Sequence, residues 1–124
     1  MPHHPYVAAI GERTPVIDPS AWCAPSASIV GSVTVGARAS VWYSTSVRGD
    51  TETIAIGADS NVQDCCALHA DAGFPLRIGG LVSVGHGVVL HGCQLGDRVL
   101  VGMSATVMNG AVVGDARSSV LERW

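Results

Sequence analysis

Aromatic residues are scarce in this chain, which has one Phe, two Tyr and three Trp among 124 residues. A core of interlocked aromatic rings is therefore excluded, and the interior must be built from Val, Ile, Leu and Ala. The chain also lacks a basic run, and its formal net charge is −3. This charge pattern argues against nucleic acid or an anionic membrane surface as a partner.

Long apolar runs are missing too, and none approaches the roughly 20 residues of a membrane span. The start, Met1 to Pro5, lacks the basic end and apolar centre of a secretory signal. We therefore expect a cytoplasmic protein without a membrane segment. At this length it forms one domain, residues 1–124.

The four cysteines lack the C-x-x-C spacing of common redox and zinc motifs. Cys23 falls on a repeating apolar position and is predicted to be a buried hydrophobic residue. Cys65 and Cys66 are adjacent and should point to opposite faces of a strand. Cys93, two residues after a histidine, remains a candidate for a reactive or ligating thiol, which would require a lowered pKa.

Aliphatic residues recur at a step of six, often followed by glycine. An α-helix needs apolar spacings of three and four, and an ordinary strand alternates, so neither pattern fits. A hexapeptide repeat is typical of a parallel β-helix, in which three hexads form one coil of about 18 residues. We predict an all-β fold of about five coils, with the repeat over 16–114 and an irregular tail over 115–124. The repeating positions are Ile17, Cys23, Ile29, Val35, Val41, Val47, Ile56, Val62, Leu68, Ile78, Val84, Leu90, Leu95, Val101, Val107 and Val113.

The repeat is interrupted in three places. The step is nine from Val47, ten from Leu68 and five from Leu90. We expect an exposed loop or bulge over 48–53 and a four-residue insertion within Ala70–Pro75. Each interruption lies beside charged or metal-capable residues, and functional sites are where local rules are expected to fail.

His69, His86 and His91 are candidate metal ligands, because neutral imidazole is a common ligand of zinc. Without the insertion, His69 and His91 are 18 residues apart, which is one full coil. They should lie one above the other on one face, about 4.8 Å apart. His86 follows the preceding strand and belongs to another face, so a second copy of the chain must supply it. A homotrimer with one metal site at each interface is the simplest closed solution.

Several motifs, and their order along the chain, resemble those of the γ-class carbonic anhydrases and their bacterial relatives. The resemblance runs from about Val16 to Gly114. It implies a left-handed β-helix trimer that holds Zn2+, or Fe2+ or Co2+ in some members, between subunits. CO2 and bicarbonate are the implied substrates. The matching motifs are Val41-Trp42-Tyr43, Val47-Arg48-Gly49-Asp50, Asn61-Val62-Gln63-Asp64, Leu68-His69, Val82-Ser83-Val84-Gly85-His86, Leu90-His91-Gly92-Cys93, Leu95-Gly96-Asp97 and Val101-Gly102-Met103.

The same resemblance implies the metal ligands and an ion pair. His69 and His91 of one subunit and His86 of the next match the ligands. Arg48 and Asp50 match a pair that links neighbouring subunits near the site, where a guanidinium is a natural partner for a carboxylate.

A polar shell around the metal is implied at Asn61, Gln63 and Asp64. A metal lowers the pKa of bound water to about 7, and the resulting metal-bound hydroxide would attack CO2. Gln63 would hydrogen-bond the hydroxide or the substrate, and Asp64 would orient a ligand or another shell residue. Alternatively, Gln63 and Asp64 cap exposed coil edges.

Two departures from the family leave its activity open. The archaeal prototype of the family moves protons with glutamates, and this chain has no glutamate at the matching positions. Thr51 follows the Arg-Gly-Asp element, and the loop after His69 offers only Asp71. Relatives continue into further coils and a C-terminal helix, whereas Ser119 stands where an aliphatic residue is expected here. We therefore expect a C-terminally shortened chain whose tail forms a short helix over the open end.

Three functions follow from these patterns. The first is a metal-dependent carbonic anhydrase. The second is a non-catalytic metal-binding or scaffold trimer of the same family. The third is a hexapeptide acyltransferase, although the later coils that usually bind coenzyme A are missing from this sequence.

Overall fold

The computed structural model describes residues 3–116 and 120–121, which form strands, turns and bends but no helix. All strand pairings between coils are parallel, as expected of a helix of stacked coils. The predicted all-β class, a left-handed parallel β-helix of about five coils, is confirmed. No helix in the described ranges is long and apolar enough to cross a bilayer.

Register divides the strands into three faces, which we call face one, face two and face three in the order in which the chain visits them. Face three is a separate six-stranded sheet, whereas faces one and two share β4 (Ser28–Val35) and β6 (Ser46–Ile56), which turn the corner between them. Face one consists of β1 (Tyr6–Ala8), the first part of β4 (Ser28–Val35), the first part of β6 (Ser46–Ile56), β8 (Ala67–His69), β11 (Val89–His91) and β14 (Thr106–Val107). Face two consists of β2 (Val16–Ile17), the second parts of β4 and β6, β9 (Leu76–Ile78), β12 (Gln94–Leu95) and β15 (Val112–Val113). Face three consists of β3 (Trp22–Cys23), β5 (Ser40–Val41), β7 (Asn61–Val62), β10 (Ser83–Val84), β13 (Leu100–Val101) and β16 (Val120–Leu121).

The three faces enclose a prism, and the core is a column of aliphatic side chains inside it. Every predicted repeat position is buried except those in the end coils, Ile17, Cys23, Val107 and Val113, which pack against the core while partly exposed. A second inward row lies two residues before the first and includes Val33, Ile54, Leu76, Val82, Val88 and Val99. The step-of-six pattern did not identify this second row, because small residues such as Ala27, Ala39, Thr45 and Ser60 occupy it at several coils.

The turns between strands do not depend on glycine alone. Seven non-glycine residues hold φ between 57° and 63° at the turns, and they are Arg38, Ser44, Asp59, Cys65, Leu81, Arg98 and Ser104. Glycine is also needed where the backbones of adjacent coils approach each other. A Cβ on Gly57 would lie 2.3 Å from the carbonyl oxygen of Gly79, well inside van der Waals contact.

The three interruptions of the repeat fall at the same corner, between faces one and two. The first is a bulge, since Gly31 pairs with Gly49 but Val33 pairs with Ile54. In the second, the Phe74 N–H donates to the Asp71 carbonyl at 2.8 Å and closes a turn within the insertion. The third is the short connection from β11 to β12. The predicted bulge and insertion are confirmed, and stacking places them in adjacent coils.

The predicted C-terminal tail is described only in part. Residues 117–119 and 122–124 lie outside the described residues, and so does most of the expected short helix. Val120–Leu121 form β16, which pairs in parallel with Leu100–Val101. These two residues therefore continue face three as a strand, and the helix expected there is wrong because backbone pairing to β13 extends the coil.

Candidate metal centre

Two of the predicted ligands meet at the irregular corner. His69 ends β8 and His91 ends β11, and the two residues are register partners in adjacent coils. The Nδ1 atom of His69 lies 2.9 Å from Nε2 of His91. Each side chain is only about one-fifth exposed, at 21% and 22%. The predicted stacking of these two residues is confirmed.

A carboxylate supports His69 from the bulge of β6. The Nε2 atom of His69 lies 2.7 Å from Oδ1 of Asp50, and the other oxygen of Asp50 accepts a hydrogen bond from Arg48 of the same chain. The hydrogen bond with His69, followed by that with Arg48, lowers the pKa of Asp50 to about 2. Asp50 is therefore ionised at neutral pH. Pairing of Arg48 and Asp50 across subunits stays a prediction.

Asn109 supports His91 from the next coil and was missed by the sequence analysis. Its Oδ1 lies 2.8 Å from Nδ1 of His91, and its Nδ2 donates to Oδ2 of Asp71 at 2.9 Å. Because the amide nitrogen faces a carboxylate, the amide oxygen must accept from the Nδ1–H of His91. That tautomer leaves the lone pair on Nε2, the nitrogen that faces His69. The signal was available, since Asn109 follows His91 by one regular coil of 18 residues.

The third predicted ligand, His86, lies on a different part of the prism. It follows β10 of face three, and its side chain is 53% exposed. Its Nδ1 is 3.8 Å from Oδ1 of Asp64, which lies one coil below. Among the described residues, the group of side chains that could share one ion contains His69, Asp71 and His91, but not His86.

The predicted polar shell lies on the same face as His86. Asn61 lies in β7, and its amide donates to the hydroxyl of Ser83 in β10 at 3.0 Å. Gln63 follows β7 and donates through Nε2 to Oδ1 of Asn61, also at 3.0 Å. Asn61, Gln63 and Asp64 thus form one polar patch with His86, apart from the corner that holds His69 and His91.

The donor set fits a first-row metal. Zinc–nitrogen bonds of 2.0–2.1 Å in a tetrahedron place two donor nitrogens about 3.3–3.4 Å apart. The ring nitrogens of His69 and His91 are 2.9 Å apart, so a small separation of the two rings would suffice. Imidazole also suits iron and cobalt, so the residues alone do not select one metal.

Glu52 and the cysteines do not add ligands at this corner. The Glu52 carboxylate accepts from the backbone N–H groups of Thr53 and Gly73, which lower its pKa and tie the bulge to the insertion. Cys93 is fully buried, and desolvation raises its thiol pKa to about 11. A raised pKa is the opposite of what a reactive or ligating thiol needs. Cys65 is exposed and Cys66 is buried, as predicted, but the strand predicted for them is wrong, because both lie in the turn between β7 and β8, where Cys65 has a φ of +61°.

Comparisons with known proteins support one family, although no family model matches the chain. It is 55% identical to a probable carbonic anhydrase of Methanocaldococcus jannaschii over 84 residues, which is 68% of this chain and 53% of that protein. It is 36% identical to the mitochondrial gamma carbonic anhydrase 1 of Arabidopsis thaliana over 119 residues, 91% of this chain and 43% of the relative. The chain therefore spans about half the length of these curated relatives.

A solved structure with the same architecture is that of a hexapeptide transferase family protein from Anaplasma phagocytophilum. The two share 36% sequence identity with a TM-score of 0.85, and the match covers 95% of this chain and 72% of the other. Identity at this level over most of both chains goes beyond a shared fold.

Proposed function

Because this chain belongs to the hexapeptide-repeat β-helix family that includes the γ-class carbonic anhydrases, we propose that it hydrates CO2 at a metal site shared by two subunits of a homotrimer. The single observation that carries this proposal is the division of the ligand set between two faces. His69 and His91 form one half of the site, and the exposed His86 with its polar patch forms the other half.

The two half-sites are complementary. One half offers two nitrogens that lie 2.9 Å apart on side chains only about one-fifth exposed. The other offers a mostly exposed imidazole that no described side chain within its own chain ties to the first half. A threefold arrangement would bring face three of one copy against the corner of the next and would complete three such sites.

Each residue would have a distinct role in the reaction. A metal held by His69, His91 and the His86 of a second copy would lower the pKa of a water molecule to about 7, so that hydroxide is available near neutral pH. Asp50 and Asn109 hold the two imidazoles of one chain in position through hydrogen bonds to their other ring nitrogens.

Gln63 would orient the reacting oxygen or the product. Its amide is held by Asn61, which is held in turn by Ser83, so the row of side chains is ordered before substrate arrives. Preordered hydrogen-bond donors stabilise the charge that develops on bicarbonate without reorganising. Asp64, whose Oδ1 lies 3.8 Å from Nδ1 of His86, would orient that imidazole once the two groups approach to hydrogen-bond distance.

The decisive experiment combines metal content, solution mass and activity. The protein would be loaded with Zn2+, or with Fe2+ under anaerobic handling, and CO2 hydration would be measured by the rate of acidification. We expect a trimer with one metal per chain and activity that chelation removes. A fully metal-loaded trimer without CO2 hydration would defeat the enzymatic proposal and leave a metal-binding scaffold. A monomer without metal would defeat the shared site itself.

The likeness to a hexapeptide transferase family protein favours one second candidate, an acyltransferase. This function would need a surface for coenzyme A. Turnover of acetyl-coenzyme A with an amine or alcohol acceptor, in a protein inactive towards CO2, would favour it over the carbonic anhydrase function.

A further inference from the structure

We propose that a single chain holds the metal through His69, His91 and Asp71, before a second copy contributes His86. This inference deepens the proposed function and rests on it for the nature of the final site. Its basis is the group formed by these three side chains, whose donor atoms all lie within 4.8 Å of one another. Oδ1 of Asp71 is 4.0 Å from Nε2 of His91, the same nitrogen that faces His69.

The position of Asp71 is built by the turn that carries it. The turn closes through the Phe74 N–H and passes through Gly73 at a φ of +81°, a left-handed conformation that glycine adopts without strain. The Glu52 carboxylate accepts the N–H of Gly73 at 3.1 Å and ties the turn to the bulge of β6. Two hydrogen bonds, one within the turn and one to Glu52, therefore hold Asp71 beside the histidines.

Asn109 orients the carboxylate as well as His91. Its amide nitrogen binds Oδ2 of Asp71, which leaves Oδ1 as the oxygen nearer to the imidazole. One amide thus aligns two of the three donor groups, and we assign Asn109 as a positioning residue. Support of this kind from outside the ligand set typically changes metal affinity by about ten- to a hundredfold.

Gly92 makes this arrangement sterically feasible. A Cβ at position 92 would lie 2.3 Å from Oδ1 of Asn109 and 2.8 Å from Cβ of Phe74. Any side chain there would push away either the amide or the turn. The glycine directly after His91 therefore lets both supports of Asp71 pack against the ligand strand.

Two imidazoles and a carboxylate are a competent ligand set. Such a triad leaves positions open on the metal and is used by zinc hydrolases and by non-haem iron enzymes. Asp71 is 53% exposed, so its carboxylate can approach or leave the metal without unpacking the core. When the trimer forms, His86 of a neighbouring copy would therefore replace Asp71 as a ligand of the metal. Metal binding by the single chain would precede assembly.

The test uses the full-length His86→Ala variant, which keeps all three groups of the single-chain site. Zn2+ affinity is measured by competition with a chromophoric chelator, alongside solution mass and circular dichroism. We expect His86→Ala to bind one Zn2+ per chain, at least about tenfold more weakly than the unaltered protein, because the loss of a ligand costs no less than the loss of a supporting hydrogen bond. Adding Asp71→Asn to this variant should weaken binding by at least about a further tenfold. The matched control is Glu12→Gln in the same background, which removes an exposed carboxylate in the first coil and should change nothing.

Co2+ provides a second readout that a folding defect would not mimic. Its visible spectrum in His86→Ala should change on adding Asp71→Asn, because a carboxylate ligand is lost. If His86→Ala binds no metal while the unaltered protein does, the single-chain site is wrong and the shared site stands. If Asp71→Asn changes neither affinity nor spectrum, Asp71 is not a ligand. If the unaltered protein also binds no metal, the proposed function fails with it.

Discussion

His69 and His91 are register partners in adjacent coils, although 22 positions separate them in the sequence. A regular coil has about 18 residues, and the additional four form the turn that carries Asp71. The insertion therefore leaves the alignment of the two imidazoles unchanged and adds a carboxylate beside them. The predictions that follow concern the site, the stack of coils and the charges that stabilise it.

Replacement of His69 by Ala should weaken zinc binding by at least about a hundredfold, because one of the two imidazoles at the corner is lost and even the loss of a supporting hydrogen bond costs about ten- to a hundredfold. Chelator competition measures this directly. The matched control is His4→Ala, which removes an exposed imidazole near the N-terminus and should leave zinc affinity unchanged. Equal affinities in the two variants would show that His69 is not a ligand.

Gly57→Ala should destabilise the fold by about 1–3 kcal/mol, since the new methyl group would meet the backbone of Gly79 rather than a movable side chain. Urea unfolding followed by circular dichroism gives the free energy of unfolding. Gly114→Ala is the control, because a Cβ there has no heavy atom within 4 Å. A similar loss in both variants would mean that the close approach of coils is not the cause.

Acid should lower the free energy of unfolding by protonating the Asp50 carboxylate. Its folded pKa of about 2 lies below the ordinary value of 3.8, so folding favours the ionised carboxylate. The stabilisation is complete above about pH 5 and is lost as the pH falls through 4 towards 2. With a chelator present, unfolding at pH 7 and pH 3 should therefore show a larger acid loss for the unaltered protein than for Asp50→Asn. Identical losses would contradict the assigned hydrogen bonds.

Thiol labelling should distinguish the cysteines. Cys65 is exposed and should react rapidly with a disulfide reagent at pH 8, and Cys65→Ser should abolish the rapid phase. Cys93 is buried with a raised pKa and should react only after unfolding in urea. Mass spectrometry after brief labelling identifies the modified residue. Rapid modification of Cys93 in the folded protein would contradict its place in the core.

The repeat made much of the fold predictable. Positions such as Val62 and Val84 could be placed in the core from spacing alone, because each coil must bury the same positions against its neighbours. The alignment of His69 with His91 followed from the same arithmetic once the insertion was subtracted. The second inward row was not predicted, since residues as small or polar as Ser60 carry no apolar signal.

The support around the histidines was less predictable. Asn109 lies one coil beyond His91, but an asparagine near a turn is common, and only the orientation of its amide reveals a contact with both His91 and Asp71. The role of Gly92 was hidden for a similar reason. A glycine can serve a turn or a close approach, and the distance to Asn109 decides between them.

The sequence by itself determined the β-helix, its register and the separation of His86 from the other two histidines, because a constant step of residues per face leaves little freedom for a stacked chain. Tertiary structure alone decided how Asp50, Asp71 and Asn109 surround the imidazoles. These groups lie in the bulge, in the inserted turn and just after β14, where the repeat no longer dictates where side chains point. Their positions depend on hydrogen bonds between coils, which no local pattern specifies.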